Sequence, residues 1–286
     1  ATTSTEHYNG TSWTAGGTAT AVSYHDAAGT EYAALVAGGY PGVNTSQEYY
    51  GETWAAGGTL ITARHSAGMA GLQNAALVIA GCVSPTIFSS VEHYDGSAWT
   101  AGGALGTARY WGGATGTQNS ALWAGGATGP YLNCTEEYDG STWTVAGAMN
   151  VATSHQSAAG NQNATVSMGK HAGNSTTEEY NGTTWSVSTA MITGRGEGGG
   201  AGTMTSALVY GGYVAPANVT TTEEYTSYIS SGSFGKLYAT SLSGSAASLT
   251  NKDPENLVSS SAQLASDISG SFSSGFEFTG TIGKAL

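Results

Sequence analysis

The side chains able to do chemistry are few, and they recur at fixed intervals. Arg64, Arg109 and Arg195 stand in the like-sounding phrases "TARHS", "TARYW" and "TGRGE", and are the chain's only arginines. A guanidinium repeated in this way either gathers anions into one positive zone or pairs with carboxylates of the same repeat, here Glu92, Glu136 or Glu179. The six histidines are scattered: His7 and His93 share one slot beside a tyrosine, His65 and His155 sit near the starts of inner strands, and His25 and His171 stand alone. The doublets Glu136-Glu137 and Glu178-Glu179 suggest paired carboxylates for glycoside hydrolysis, but strand neighbours point to opposite faces and cannot address one substrate. Cys82 and Cys134 occupy different slots of different repeats, with neither a metal-type spacing nor a disulfide framework. GxSxG, HExxH, a phosphate loop and a calcium loop are all missing from the sequence. These residues predict no catalytic centre, no metal and no cofactor.

What positions these side chains is a repeat. The phrase "TEEYDGSTW" returns as "TEHYNGTSW", "SQEYYGETW", "VEHYDGSAW" and "TEEYNGTTW", and its tyrosine recurs at Tyr8, Tyr49, Tyr94, Tyr138, Tyr180 and Tyr225. A period of 41 to 45 residues, rich in strand formers, is that of a propeller blade. Only 9% of residues are charged and 44 are glycine, which favours short strands joined by tight turns and an all-β fold. Each unit divides into four strands. The first is built of small residues ("HSAGMAG", "YWGGATG"), the second is apolar and ends in glycine ("ALVAGG", "ALWAGG"), and the third and fourth carry the tyrosine and the tryptophan. Crowding at the axis puts the small-residue strand innermost and the tryptophan strand at the rim. Asn9-Gly10, Asp95-Gly96, Asp139-Gly140 and Asn181-Gly182 then turn the outer hairpin.

This order of glycine pair, tyrosine and tryptophan resembles the kelch repeat over roughly residues 3 to 225. The resemblance implies a kelch-like β-propeller of about five four-stranded blades spanning 1–225. Its first and last strands would meet if the hairpin of Tyr8 and Trp13 completed the blade begun by residues 187 to 212. "TTEEY" at 221–225 competes for the same place, so either the ring carries an extra strand or further blades precede Ala1.

In such blades the loops between strands 2 and 3 and between strands 4 and 1 share one face. That face varies ("YPGVNTS", "CVSPTIFSS", "ATGPYLNCT", "KHAGNSTT", "YVAPANVTTT"), whereas the hairpin-turn face repeats Asn-Gly, Asp-Gly and Gln-Asn. Diversity on one side of a uniform scaffold is the pattern of loops that bind. Candidate ligand contacts are Tyr40, Asn44, Phe88, Tyr131, Asn133, His171 and Tyr213, with Arg64, Arg109 and Arg195 as an anion-attracting ring at the channel mouth, suited to acidic glycans.

Residues 226–286 are of a different kind, with one short helix predicted after the Asp253-Pro254 cap and extended Ser/Gly-rich segments around it. Phrases such as "SSSAQLASDISGSF" and "GFEFTGTI" resemble segments of virion structural proteins of marine tailed phages. That resemblance implies a particle component: a tail fibre, spike or surface appendage, attached to other virion proteins through this segment, homo-oligomeric, and reading a host-surface glycan without catalysis. A secreted bacterial lectin or galactose-oxidase-like propeller, and a purely structural capsid or tail decoration, are the alternatives. A formal charge of −12 with seven basic residues argues against a nucleic-acid partner, and the sequence has no apolar run long enough for a spanning helix, so no membrane insertion is expected.

Overall fold

A computed structural model describes residues 3–21 and 23–227. Val22 and the predicted C-terminal helix and attachment segment lie outside the described residues.

The fold is an all-β propeller of five blades, fitting the kelch-like pattern, with no helix among the described residues. The first blade runs from the axis outward as Asp26–Thr30, Ala33–Ala37, Ser46–Tyr49 and Trp54–Ala56. The second, third and fourth open with Gly68–Leu72, Gly113–Thr117 and Ser157–Asn161 and end with Trp99–Ala101, Trp143–Ala146 and Trp185–Val187, each a four-stranded antiparallel sheet. The fifth has three strands, Gly199–Thr203, Ser206–Tyr210 and Thr222–Thr226.

Small residues line the axis because the next blade leaves no room for others: a Cβ on Gly68 would run into the Trp123 ring of the third blade. The core lies between blades. One apolar cluster joins Leu35 and Leu60 to Met69, Val78 and Trp99; the next joins Leu77, Ile79 and Leu105 to Trp123 and Tyr138; two more follow round the ring. Polar contacts repeat with the same period. At several junctions the repeat tyrosine donates to a glutamate of the preceding blade, Tyr94 to Glu48 at 2.7 Å and Tyr180 to Glu137 at 2.8 Å, whereas Tyr138 meets His93 Nε2 at 2.8 Å. The inner turns add a clamp, in which Gln118 Nε2 donates to the Ala76 and Tyr94 carbonyls of the second blade at 3.1 and 2.6 Å.

The outer turn is a four-residue loop rather than a two-residue one. Tyr94 pairs with Trp99, and the Asp95 carboxylate accepts the Ser97 and Ala98 N–H groups at 2.9 and 2.8 Å, while Gly96 takes the left-handed φ of 91°. Asn9, Asp139 and Asn181 cap their turns in the same way.

Ring closure differs from the expectation. The Thr222–Thr226 strand, reached by a short local connection, takes the third position of the fifth blade; that costs less chain entropy than fetching a strand from the other end of the propeller. The N-terminal hairpin, Glu6–Tyr8 with Trp13–Ala15, therefore occupies the next place in the ring instead of completing that blade. It contacts the fifth blade as the fourth contacts the third, through Tyr8 to Glu224 at 3.2 Å and Trp13 Nε1 to Thr222 Oγ1 at 3.0 Å. On its other side Trp54 Nε1 donates to Thr5 Oγ1 at 2.8 Å.

Candidate ligand-binding face

Between blades, the face of variable loops is stitched together by backbone hydrogen bonds. Gly39, Gly81 and Gly126, each at the start of a strand 2 to 3 loop, donate to the carbonyls of Arg64, Arg109 and Thr153 in the following blade at 2.8, 3.0 and 2.8 Å. Two residues after that slot, each chain segment turns sharply. Tyr24, Ser66, Trp111, His155 and Glu197 all adopt a left-handed φ, between 54° and 61°, a conformation uncommon outside glycine. These five residues are linked in sequence around the axis: Ser66 N donates to Tyr24 O at 2.8 Å, Trp111 N to Ser66 O at 3.0 Å, His155 N to Trp111 O at 2.8 Å, and Glu197 N to His155 O at 2.8 Å. These four hydrogen bonds hold the five turns, whose side chains all enter the wall of the channel mouth.

The mouth is a cavity of 320 Å³ with Tyr24, Ser66, Trp111, His155, Gln156 and Glu197 in its wall. Trp111 and His155 stack at 3.8 Å between centroids, and His171 continues the array 4.9 Å from His155, with Tyr131 5.5 Å further on. A second array joins Tyr24, Tyr40 and His65, with Tyr40 5.5 Å from His65. Two polar atoms of the mouth are buried without a partner, the Trp111 Nε1 donor and the Gln156 Oε1 acceptor; Gln156 is only 7% exposed, and its amide nitrogen is fixed on the Ala124 carbonyl at 2.7 Å. Each is an unmet hydrogen-bonding capacity in a residue of the mouth's wall.

The mouth carries little positive charge. Burial, with a smaller contribution from nearby His171, pushes the His155 imidazolium down to about 4, so the ring is neutral at pH 7. Burial also lowers His25 and His65. Asp26, which accepts the Ala27 and Met69 N–H groups at 2.9 Å each, is pushed up to about 6 by burial.

The candidates from sequence divide into three groups. Tyr40, Tyr131, His171 and Tyr213 are exposed on this face, and the first three belong to its aromatic arrays. Asn44 and Asn133 are exposed but serve the loops: their carbonyls accept the Leu60 and Met149 N–H groups at 2.8 Å each. The anion ring is corrected. Arg64, Arg109 and Arg195 are fully buried, and each pairs inside its own blade, Arg64 with Glu92 at 2.6 Å, Arg109 with Glu136 at 2.9 Å, and Arg195 with Glu223 in place of the expected Glu179. Arg64 spends its remaining donors on the Ala80 and Ser90 carbonyls at 2.8 Å each, and Phe88 covers it with its ring centroid 5.6 Å from the guanidinium carbon. Buried out of reach of solvent and each paired with a carboxylate, these guanidiniums present no charge to a ligand at the mouth.

Sequence reasoning missed Tyr24, Ser66, Trp111, His155, Gln156 and Glu197 as a site. The signal was present: two residues after the arginine slot, the five repeats carry five different side chains. The chain matches no protein-family model and no curated protein.

Proposed function

We propose that the propeller is a non-enzymatic binding module whose variable face takes the neutral end of a glycan, with the terminal sugar in the channel mouth. The observation that carries this reading is a cavity of 320 Å³ walled by the rings of Tyr24, Trp111 and His155, in whose wall Trp111 Nε1 and Gln156 Oε1 have no protein partner. A saccharide offers hydroxyls that both accept and donate, and apolar C–H faces that lie against tryptophan, histidine and tyrosine. Neutral His155 and internally paired arginines favour an uncharged sugar over the acidic glycan that an arginine ring would suit. Outer residues Tyr40, Tyr131, His171 and Tyr213 would extend the contact along the glycan.

The wider setting rests on the resemblance of the C-terminal segment: a surface appendage of a tailed-phage particle, reading host-surface glycans through many copies of one weak site. Glycan-array binding tests the module itself. The reading requires retention of neutral hexose-terminated glycans in preference to sialylated or uronate-terminated ones, and retention of none would remove it.

A further inference from the structure

One carboxylate at the mouth has no counter-charge. Glu197 enters the cavity wall from the fifth blade, beside His155 of the fourth and Trp111 of the third. Its left-handed backbone, with φ at 59°, and the hydrogen bond from its N–H to the His155 carbonyl at 2.8 Å fix where the side chain leaves the chain. That side chain is 38% exposed, and the basic atom that comes closest to it among the described residues is His155 Nε2, 3.8 Å from Oε1 and beyond hydrogen-bond reach. The imidazole supplies no charge of its own. Burial, and after it His171, holds its imidazolium down at about 4, and Nδ1 is engaged with Ser154 Oγ at 2.8 Å. Asp26, the other carboxylate of the wall, differs because both of its oxygens already accept N–H groups, from Ala27 and Met69 at 2.9 Å each. No lysine or arginine lines the mouth. The three arginines are paired inside their blades, and Lys170, the only lysine among the described residues, lines a separate cavity beside Glu178.

Aromatic surface adjoins this carboxylate. Trp111 and Glu197 flank the same imidazole, the indole at 3.8 Å between ring centroids, and Tyr24, 48% exposed, adds a third ring to the wall. A carboxylate without a counter-charge beside aromatic rings suits an organic cation: the carboxylate accepts its N–H groups, and the ring quadrupoles add to the attraction. A metal ion would need more ligands than the mouth offers, since no group of three His, Cys, Asp or Glu among the described residues could hold one. The formal charge of −12 acts in the same direction, drawing cations towards the protein.

We infer that the mouth binds a protonated amine, and that the sugar it prefers is a hexosamine with a free amino group, whose ammonium donates to the Glu197 carboxylate. This inference rests on the reading of the mouth as a sugar site and adds to it. A neutral hexose is accepted; a hexose with an ammonium in place of one hydroxyl binds more tightly. The N-acetylated form keeps the nitrogen, loses the charge and loses the advantage. An acidic sugar would set its own carboxylate against Glu197, which gives the preference against sialylated and uronate ends a second cause.

Calorimetric titration of the full chain with the methyl glycosides of glucose, glucosamine and N-acetylglucosamine tests it. At about pH 6.5 the free amine is protonated and His155 is neutral. The free-amine glycoside is expected to bind about tenfold more tightly than the glucoside, by a margin that shrinks at high salt. Glu197→Gln keeps the side chain's size and removes its charge, and is expected to abolish that margin while leaving the glucoside affinity within about twofold. Glu197 is exposed, so circular dichroism should show the fold intact, and the three-ligand comparison reads the effect of charge on the unmodified protein as well. A free-amine advantage lost in Glu197→Gln supports the inference. Equal affinities for the glucoside and the free-amine glycoside overturn it and leave the sugar site standing, and so does an advantage that persists in Glu197→Gln. Binding of none of the three overturns both.

Discussion

Arg64 and Glu92 meet at 2.6 Å in the second blade, both out of contact with solvent, and the Glu92 carboxylate also accepts the Ile61 and Thr62 N–H groups at 2.7 and 3.0 Å. The pair therefore ties the connection that enters the blade to the blade's third strand. Removing one partner strands a buried charge: Glu92→Ala is expected to lower unfolding free energy by about 3–5 kcal/mol. The double change Arg64→Met with Glu92→Leu should recover part of that loss. Urea denaturation of the three variants checks this, and a cost for Glu92→Ala below about 1 kcal/mol, the range of exposed pairs, would contradict it.

Gln118 reaches back to two carbonyls of the preceding blade, and Met204 fills the same turn position in the fifth blade. Gln118→Met thus keeps a side chain the turn tolerates while leaving two carbonyls without their donor. A loss of about 1–3 kcal/mol is expected, read as a lower denaturation midpoint with the circular dichroism spectrum unchanged.

Trp111 Nε1 has no hydrogen-bond partner, so its removal should cost the scaffold little. Trp111→Phe retains a ring stacked on His155 and is expected to change stability by no more than about 0.5 kcal/mol. A drop several times larger would show that the indole is held by the fold rather than left open for a ligand.

His155 has a folded-state value of about 4, below that of an unfolded histidine near 6.5. Native protein thus binds fewer protons than unfolded chain between those values, and stability present above pH 6.5 is lost as pH falls towards 4. Asp26 has the opposite sign: its value of about 6 lies above the unfolded carboxylate, so its contribution declines as pH rises from about 4 through 6. His155→Asn, which keeps a residue tolerant of left-handed backbone, should flatten the acid limb of a plot of thermal midpoint against pH. An unchanged acid limb would remove His155 from that account.

Much of the architecture was legible because a propeller writes its rules into each repeat. Tyr94 and Tyr138 mark third strands, Gly68 and Gly113 mark the crowded axis, and Asp95 and Asp139 mark capped turns. Closure was not legible, since "STEHY" and "TTEEY" have the same third-strand chemistry and only three-dimensional adjacency decides which of them enters the fifth blade. The arginine role turned on burial, which a repeated position does not reveal; the pairing with glutamate was readable and the solvent exclusion was not. The mouth residues escaped because Tyr24, Ser66, Trp111, His155 and Glu197 share a backbone conformation and no side-chain chemistry.

The central claim is that the mouth recognises a hydroxyl of a neutral sugar through Trp111 and Gln156. Calorimetric titration of one neutral hexose-terminated oligosaccharide into the unmodified protein and into Trp111→Phe tests it most directly. The account predicts a saturable site in the first and an affinity about tenfold weaker, roughly 1.4 kcal/mol, in the second. Equal affinities, or binding confined to anionic glycans, would contradict it.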